Sequence, residues 1–258
     1  MDVFEAIAAR RSVRGFRSQP VERAVLERLF GAAQRAPSWC NIQPWRVALT
    51  APALTEQLRA RLLEAARTSM PSPEVPFPVE YPEPYKTHRR ACGAALYRAM
   101  GVAYDDKSGR YQAWLRNFGA FGAPHVAIVS MDRRFGVYAA LDIGCWLQTV
   151  LLAATALGLA TCPQASLATY PEPVRSLLAI PDGDAILCGI AIGYLDDAEP
   201  PTPARPIARR WLTTCASSVS SGASCQIASC WPLAGSAPGW TDPWPGGAAR
   251  SRRRSRAA

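Results

Sequence analysis

A chain of 258 residues that is 49% hydrophobic can bury one sizeable core, which excludes a disordered or fibrous protein. Its formal charge of +9 does not argue for nucleic-acid binding. Eight Arg against one Asp lie after position 204, and the rest of the chain is close to neutral. The eight cysteines include no C-x-x-C pair, and His88 and His125 are the only histidines, so a zinc site is not expected. The start shows no basic-then-apolar leader pattern, and a reduced, cytoplasmic setting follows as the default.

Asp2 to Arg10 repeats apolar residues (Val3, Phe4, Ile7, Ala8) at helical spacing. It runs into Arg10, Arg11, Arg14 and Arg17. Such a cluster can be a solvated face. It can also be an anion site, because guanidinium forks satisfy phosphate oxygens in pairs and Ser12 adds a hydroxyl. Val21 to Arg35 reads as a second, amphipathic helix. The stretch Ala36-Pro37-Ser38-Trp39-Cys40-Asn41-Ile42-Gln43-Pro44-Trp45 follows. Pro37 and Pro44 stiffen it, and Ser38, Asn41 and Gln43 both donate and accept hydrogen bonds. It suits a planar heterocycle with mixed edges; an ordinary helix-to-strand connection is the equal alternative. A short strand over Arg46–Thr50 and a third helix over Ala53–Arg67, opened by Pro52, come next.

Six prolines between 70 and 85 break any regular element and predict a surface loop. Phe118 and Phe121 beyond it are candidates to stack on an aromatic substrate, with core packing equally open for each. Val126 to Met131 reads as an apolar strand. Tyr138 to Leu157 is apolar enough to test as a membrane span, but Asp142, Gln148 and Thr149 interrupt it, and a buried central helix is the expectation. Cys145, Cys162 and Cys188 read as small buried hydrophobes. A strand over Ala160–Cys162 opens into the turn Pro163-Gln164-Ala165-Ser166. A short helix over Pro171–Leu178 and a buried strand over Ala185–Tyr194 follow. A proline-rich segment then carries Arg205 and Arg209. From 211 to 258 the pattern breaks into a Ser-, Trp- and Arg-rich tail. It reads as a disordered basic tail or as the product of a shifted frame in a GC-rich gene.

Four stretches in order carry a family resemblance: RRSVR, APSWCNIQPW, LGLATCPQAS, and GIAIGY with the arginines after it. Together they resemble the FMN-dependent nitroreductase family, in its nitrobenzoate-reductase-like branch, over roughly residues 1 to 210. The resemblance implies an α+β fold, with a mostly antiparallel central sheet flanked by helices and FMN at the interface of a homodimer. The long apolar helix would form part of the dimer core. Arg10, Ser12 and Arg14, with Arg11 beside them, would hold the phosphate, the ribityl chain and the pyrimidine edge. Pro163, Gln164, Ala165 and Ser166 would face N5 and O4 of the ring. Arg205 and Arg209 (or Arg210) would close the phosphate clamp. Pro37, Ser38, Trp39, Asn41 and Gln43 would come from the other subunit, and residues 70–122 would form a lid. The implied reaction is ping-pong: NADH or NADPH gives a hydride to flavin N5, and a nitroaromatic, quinone or similar acceptor takes the electrons. Metal ions, membranes and a protein acid or base play no part in it. Enoate reduction, reductive dehalogenation, flavin storage, or nucleic-acid binding through the tail are the competing readings.

Overall fold

The computed structural model describes residues 1–198; Arg205, Arg209, Arg210 and the 211–258 segment lie outside the described residues. Four strands form one antiparallel sheet in the order β1-β2-β4-β3: β1 (Arg46–Leu49), β2 (His125–Asp132), β3 (Ala160–Gln164) and β4 (Asp184–Gly193). Central β2 is buried along its whole length, as its apolar run Val126–Val129, followed by Ser130 and Met131, favours. Its side chains alternate between the two faces. Ala127 and Val129 point to one cluster, Val126 and Ile128 to the other.

The described residues form seven helices: α1 (Val3–Ala9), α2 (Arg23–Ala33), α3 (Pro52–Thr68), α4 (Tyr85–Ala99), α5 (Lys107–Leu115), α6 (Val137–Ala156) and α7 (Pro171–Leu178). The first cluster joins Leu29 and Ala33 of α2 to Trp146 and Val150 of α6. The second joins Leu58 and Leu62 of α3 to Val174 of α7 and to Phe118. The result is helices on both faces of one sheet. A capping box starts α1: Asp2 accepts the Glu5 N–H and Glu5 accepts the Asp2 N–H, both at 2.8 Å.

Three expectations need correcting. The turn expected at 163–166 begins two residues later. β3 continues through Pro163 and Gln164, paired to Ile190 and Gly189, and a 3-10 turn then spans Ala165–Ala168. Second, α6 is buried on one side only. Asp142, Ile143, Trp146 and Val150 face the core, while Val137, Tyr138, Leu141 and Cys145 are exposed. By length and composition α6 could cross a membrane, yet a face made for the core is packed against α2. Third, Cys145 is therefore not a buried hydrophobe, whereas Cys162 is buried and Cys188 half-buried.

Gly189 decides how the 165–168 turn sits. A Cβ at Gly189 would fall 2.5 Å from Leu167 Cδ1, so only glycine lets Leu167 rest on β4. The turn is thereby seated directly on the sheet.

Candidate flavin site

The basic run follows α1 and lies against β3. Ser12 bridges Thr161, and the Val13 N–H donates to the Thr161 carbonyl at 2.9 Å. Farther on, the Arg17 N–H reaches the Tyr194 carbonyl at 3.0 Å. Of the four arginines, Arg17 is neutralised by Asp197 at 2.8 Å. Among the described residues Arg10 and Arg11 make no ion pair and no side-chain hydrogen bond. They line a cleft of about 510 Å³ with Val13, Thr155, Gly158 and Thr161, and among the described residues no carboxylate lines it. Two unpaired guanidiniums in a cleft without carboxylates are the donor set of an anion site, and they fit a phosphate monoester.

Arg14 does not line this cleft. Its guanidinium carbon sits 5.8 Å from the centre of the Phe121 ring. Its Nη1 donates to the Ser12 carbonyl at 3.4 Å, and its own carbonyl accepts from Arg116 Nη2 at 3.0 Å. Cys162 feels this charge, but burial dominates and pushes its thiol up to about 11, with Arg14 pulling weakly the other way. Cys162 is a packing residue and not a thiolate nucleophile.

Gln164 ends β3 with its carboxamide buried. Nε2 donates to the Asn117 carbonyl at 2.9 Å, with Ser166 Oγ at 3.4 Å. Its Oε1 has no hydrogen-bond partner among the described residues. The first N–H groups of the 3-10 turn that follows have no partner within the turn. The small side chains of Ala165 and Ser166 leave that backbone open to close approach. A guanidinium, backbone N–H groups and an amide acceptor are the donor and acceptor types that suit the mixed edges of an isoalloxazine.

The 37–43 loop is elsewhere. No hydrogen bond or ring contact among the described residues joins it to Arg10–Arg14 or to 163–166. It is tied to α6 instead. The Trp39 N–H donates to Asp142 Oδ2 at 3.1 Å, and Trp39 meets Tyr138 edge to face at 5.1 Å. Cys40, Asn41 and Gln43 all take left-handed φ (51°, 54° and 46°), which is uncommon for any residue but glycine. Ser38 Oγ, accepting the Gln43 N–H at 3.0 Å, and Asn41 Oδ1, accepting from Gln43 Nε2 at 3.1 Å, hold this shape. Pro37, Trp39, Asn41 and Gln43 are exposed and Ser38 partly so. Asp142 was not singled out as a site residue; its anchoring of Trp39 is visible only in three dimensions.

Phe118 and Phe121 do not offer ring faces to a substrate in this chain. Phe118 is 1% exposed, packed edge-on to Trp114 at 4.7 Å and against Tyr170 at 5.4 Å. Phe121 is 6% exposed, beneath Arg14. Ala120, Phe121 and Gly122 all have positive φ (47°, 53° and 83°). Among the described residues Phe77, Tyr81, Tyr85, Tyr104 and Tyr111 of the 70–122 segment are exposed, as are Phe4, Trp39, Phe135 and Tyr138 outside it. Helix α4 in that segment contributes no buried residue.

Comparison with known proteins follows this geometry. The model for the Nitroreductase family matches residues 7–194, and the chain belongs to that family. It is 38% identical over 206 residues to a 4-nitrobenzoate reductase of Nocardioides sp. (strain LMS-CY), covering 78% of this chain and 83% of that one. It is 34% identical over 192 residues to nitroreductase NfnB of Mycolicibacterium smegmatis, covering 74% and 82%. The crystal structure of FMN-dependent NfnB from Mycobacterium smegmatis in complex with NADPH superposes with a TM-score of 0.78 at 31% identity, covering 83% of this chain and 98% of that chain.

Proposed function

We propose that this protein is an FMN-dependent NAD(P)H oxidoreductase that reduces nitroaromatics, quinones and similar acceptors, and that it works as a cytoplasmic homodimer. The observation that carries the reading is the carboxylate-free cleft with unpaired Arg10 and Arg11, joined to the 163–166 segment through the Ser12–Thr161 pairing. FMN, when bound, supplies the two-electron exchange between nicotinamide and acceptor. The chain's own work is binding and orientation. Arg10, Arg11 and Ser12 hold the phosphate, and Arg205 and Arg209 complete the clamp. Arg14 places a fixed positive charge at the pyrimidine edge, where it favours electron-rich forms of the ring. The N–H groups of Ala165 and Ser166 bond the ring edge. Neither a general acid nor a general base is assigned, because solvent can supply protons.

Pro37, Ser38, Trp39, Asn41 and Gln43 close the site from the second subunit. Support comes from large apolar side chains that stand exposed among the described residues of α1, the 37–43 loop and α6. Val3, Phe4 and Ile7 of α1, Trp39 and Ile42 of the loop, and Val137, Tyr138 and Leu141 of α6 are all exposed, Phe4 at 78%. Helix α1 and the loop both pack against α6, the loop through Trp39 on Tyr138. Exposed apolar surface of this kind marks an association site, and a second copy would bring its 37–43 loop with it. The reduced compartment is supported by five free cysteines among the described residues.

The test is the visible spectrum of purified protein. Oxidised-flavin bands, bleached by NADH or NADPH under anaerobic conditions and restored by a nitrobenzoate, are expected. A colourless preparation that stays colourless after soaking in excess FMN would refute the reading.

A further inference from the structure

We infer that the Arg116–Gly122 turn is a clasp that sets the flavin-side groups, and that Phe121 is a positioning residue acting through Arg14. This rests on the cofactor reading above.

Arg14 is half-buried, and among the described residues no carboxylate pairs with it. A guanidinium on a four-atom stem placed that way has many rotamers open to it. Its one side-chain hydrogen bond, to the Ser12 carbonyl at 3.4 Å, is long. What fixes it comes from one turn. The Phe121 ring lies under the guanidinium, and Arg116 Nη2 grips the Arg14 carbonyl at 3.0 Å. The same turn also holds the other flavin-side segment, because the Asn117 carbonyl accepts from Gln164 Nε2 at 2.9 Å. Three residues of one seven-residue turn thus tie together Arg14 and Gln164, which stand 150 positions apart in the chain.

The turn is built at a cost that its own sequence does not explain. Ala120 and Phe121 are L residues in left-handed backbone. The Phe121 N–H closes back on the Arg116 carbonyl at 3.1 Å and the Gly122 N–H on the Gly119 carbonyl at 3.0 Å. Left-handed φ at Phe121 is what turns its ring inward beneath Arg14. Strain of this kind persists only where the surroundings over-determine it, and it gathers at ligand clamps. The ring itself is a buried face with its negative quadrupole toward a cation, which attracts the guanidinium and limits its directions.

The experiment compares wild type, F121L and F121Y. Leu keeps an apolar side chain and removes the ring; Tyr keeps the ring. The first readout is FMN affinity, from quenching of flavin fluorescence on titration into apoprotein. The second is the midpoint potential of the bound flavin. F121L should bind FMN about three- to tenfold more weakly and shift the potential to more negative values, while F121Y restores both. In an R14A background, F121L should change neither, because its partner is gone. Melting of the apoproteins checks folding, and F121M replaces F121L if the leucine variant does not fold. Wild-type affinity and potential in F121L, or an equal loss with and without Arg14, would overturn the inference while leaving the cofactor reading intact. Failure of the wild type to take up FMN would refute the cofactor reading itself, and this inference with it.

Discussion

Glu74 sits in the proline-rich segment, and replacing it with Gln should loosen that segment from the sheet. The reason lies in a strand-length mismatch. β3 pairs with β4 only from Gly193 back to Gly189, so the Asp184–Cys188 half of β4 has no strand on that side. Glu74 covers the gap. Oε2 accepts the Ile186 N–H at 2.7 Å, and Oε1 accepts Arg175 Nη2 at 2.6 Å and also Arg133. The side chain is 11% exposed. Removing one partner of a buried ion pair costs about 3–5 kcal/mol when the other is left bare. Here neither arginine is left bare. Arg175 keeps the Ile180 and Asp184 carbonyls at 3.0 and 2.8 Å, and Arg133 keeps the Asp182 carbonyl at 2.8 Å. The expected loss for E74Q is therefore about 2–3 kcal/mol, or roughly 4–12 °C in Tm for a domain of this size.

The pH dependence gives the same prediction a second edge. Burial alone would raise the Glu74 carboxyl. The bonds from Ile186, Arg175 and Arg133 outweigh it and hold the group below the ordinary glutamate range. A carboxyl lowered in the folded state adds stability above its unfolded pKa and loses it as pH falls through the folded value. The gap between wild type and E74Q, measured by urea unfolding, should be constant from about pH 6 to 8 and should narrow below about pH 4.3. Equal melting temperatures at pH 7, or a gap that persists unchanged into acid, would refute the reasoning. Protease cutting within 70–84 should also quicken in E74Q, since the Ser72 N–H to Thr169 carbonyl bond at 3.0 Å would hold this segment with less help.

Three further outcomes follow from the same contacts. Burial pushes both Cys162 and Cys188 up to about 11, so at pH 8 both stay thiols. Iodoacetamide followed by mass spectrometry should label exposed Cys92 and spare them; equal labelling of Cys162 and Cys92 would count against the placement. L141R puts a charge on the uncovered face of α6 and should yield monomers by analytical ultracentrifugation with lost flavin binding; an intact dimer would show that this face is not the interface. S38A removes the acceptor of the Gln43 N–H. It should weaken FMN binding several-fold at little cost in Tm, because that loop is exposed; unchanged affinity would separate the loop from the flavin.

The elements were legible where periodicity speaks for a whole segment. The two-sided burial of β2 and β4 shows in their unbroken apolar runs, and α3 announces itself through Pro52 at its first turn. What stayed hidden depends on partners distant in sequence. Nothing in FGAFG marks Ala120 and Phe121 as left-handed, since neither is a residue that prefers that region. Two aromatics among glycines therefore leave stacking and core packing equally open, and the structure buries both. Helix α6 is apolar almost all round, so its pattern cannot say which face meets its own sheet. Glu74 looks like one more polar residue in a proline-rich loop, because the N–H that needs it belongs to a strand 112 positions later.

The same contrast explains where this fold places its backbone strain. Among the described residues the cleft lining holds no carboxylate, histidine or cysteine, and Cys162, next to Thr161, is a buried thiol. His125, the one buried histidine among the described residues, is spent on structure. Its Nε2 accepts the Val21 N–H at 3.0 Å, so Nδ1 must carry the proton that meets the Thr50 carbonyl at 2.9 Å. A protein that leaves the chemistry to a cofactor has no need of a tuned acid or base, but every need of fixed geometry. Apart from Ala179 at the end of α7, the non-glycine residues with left-handed φ fall in two turns: 40–43, anchored on α6, and 120–121, clasped to Arg14. Neither turn is required by the sheet or by the helices it follows. Both become intelligible if they aim side chains at a ring, one from within the chain and one from its partner.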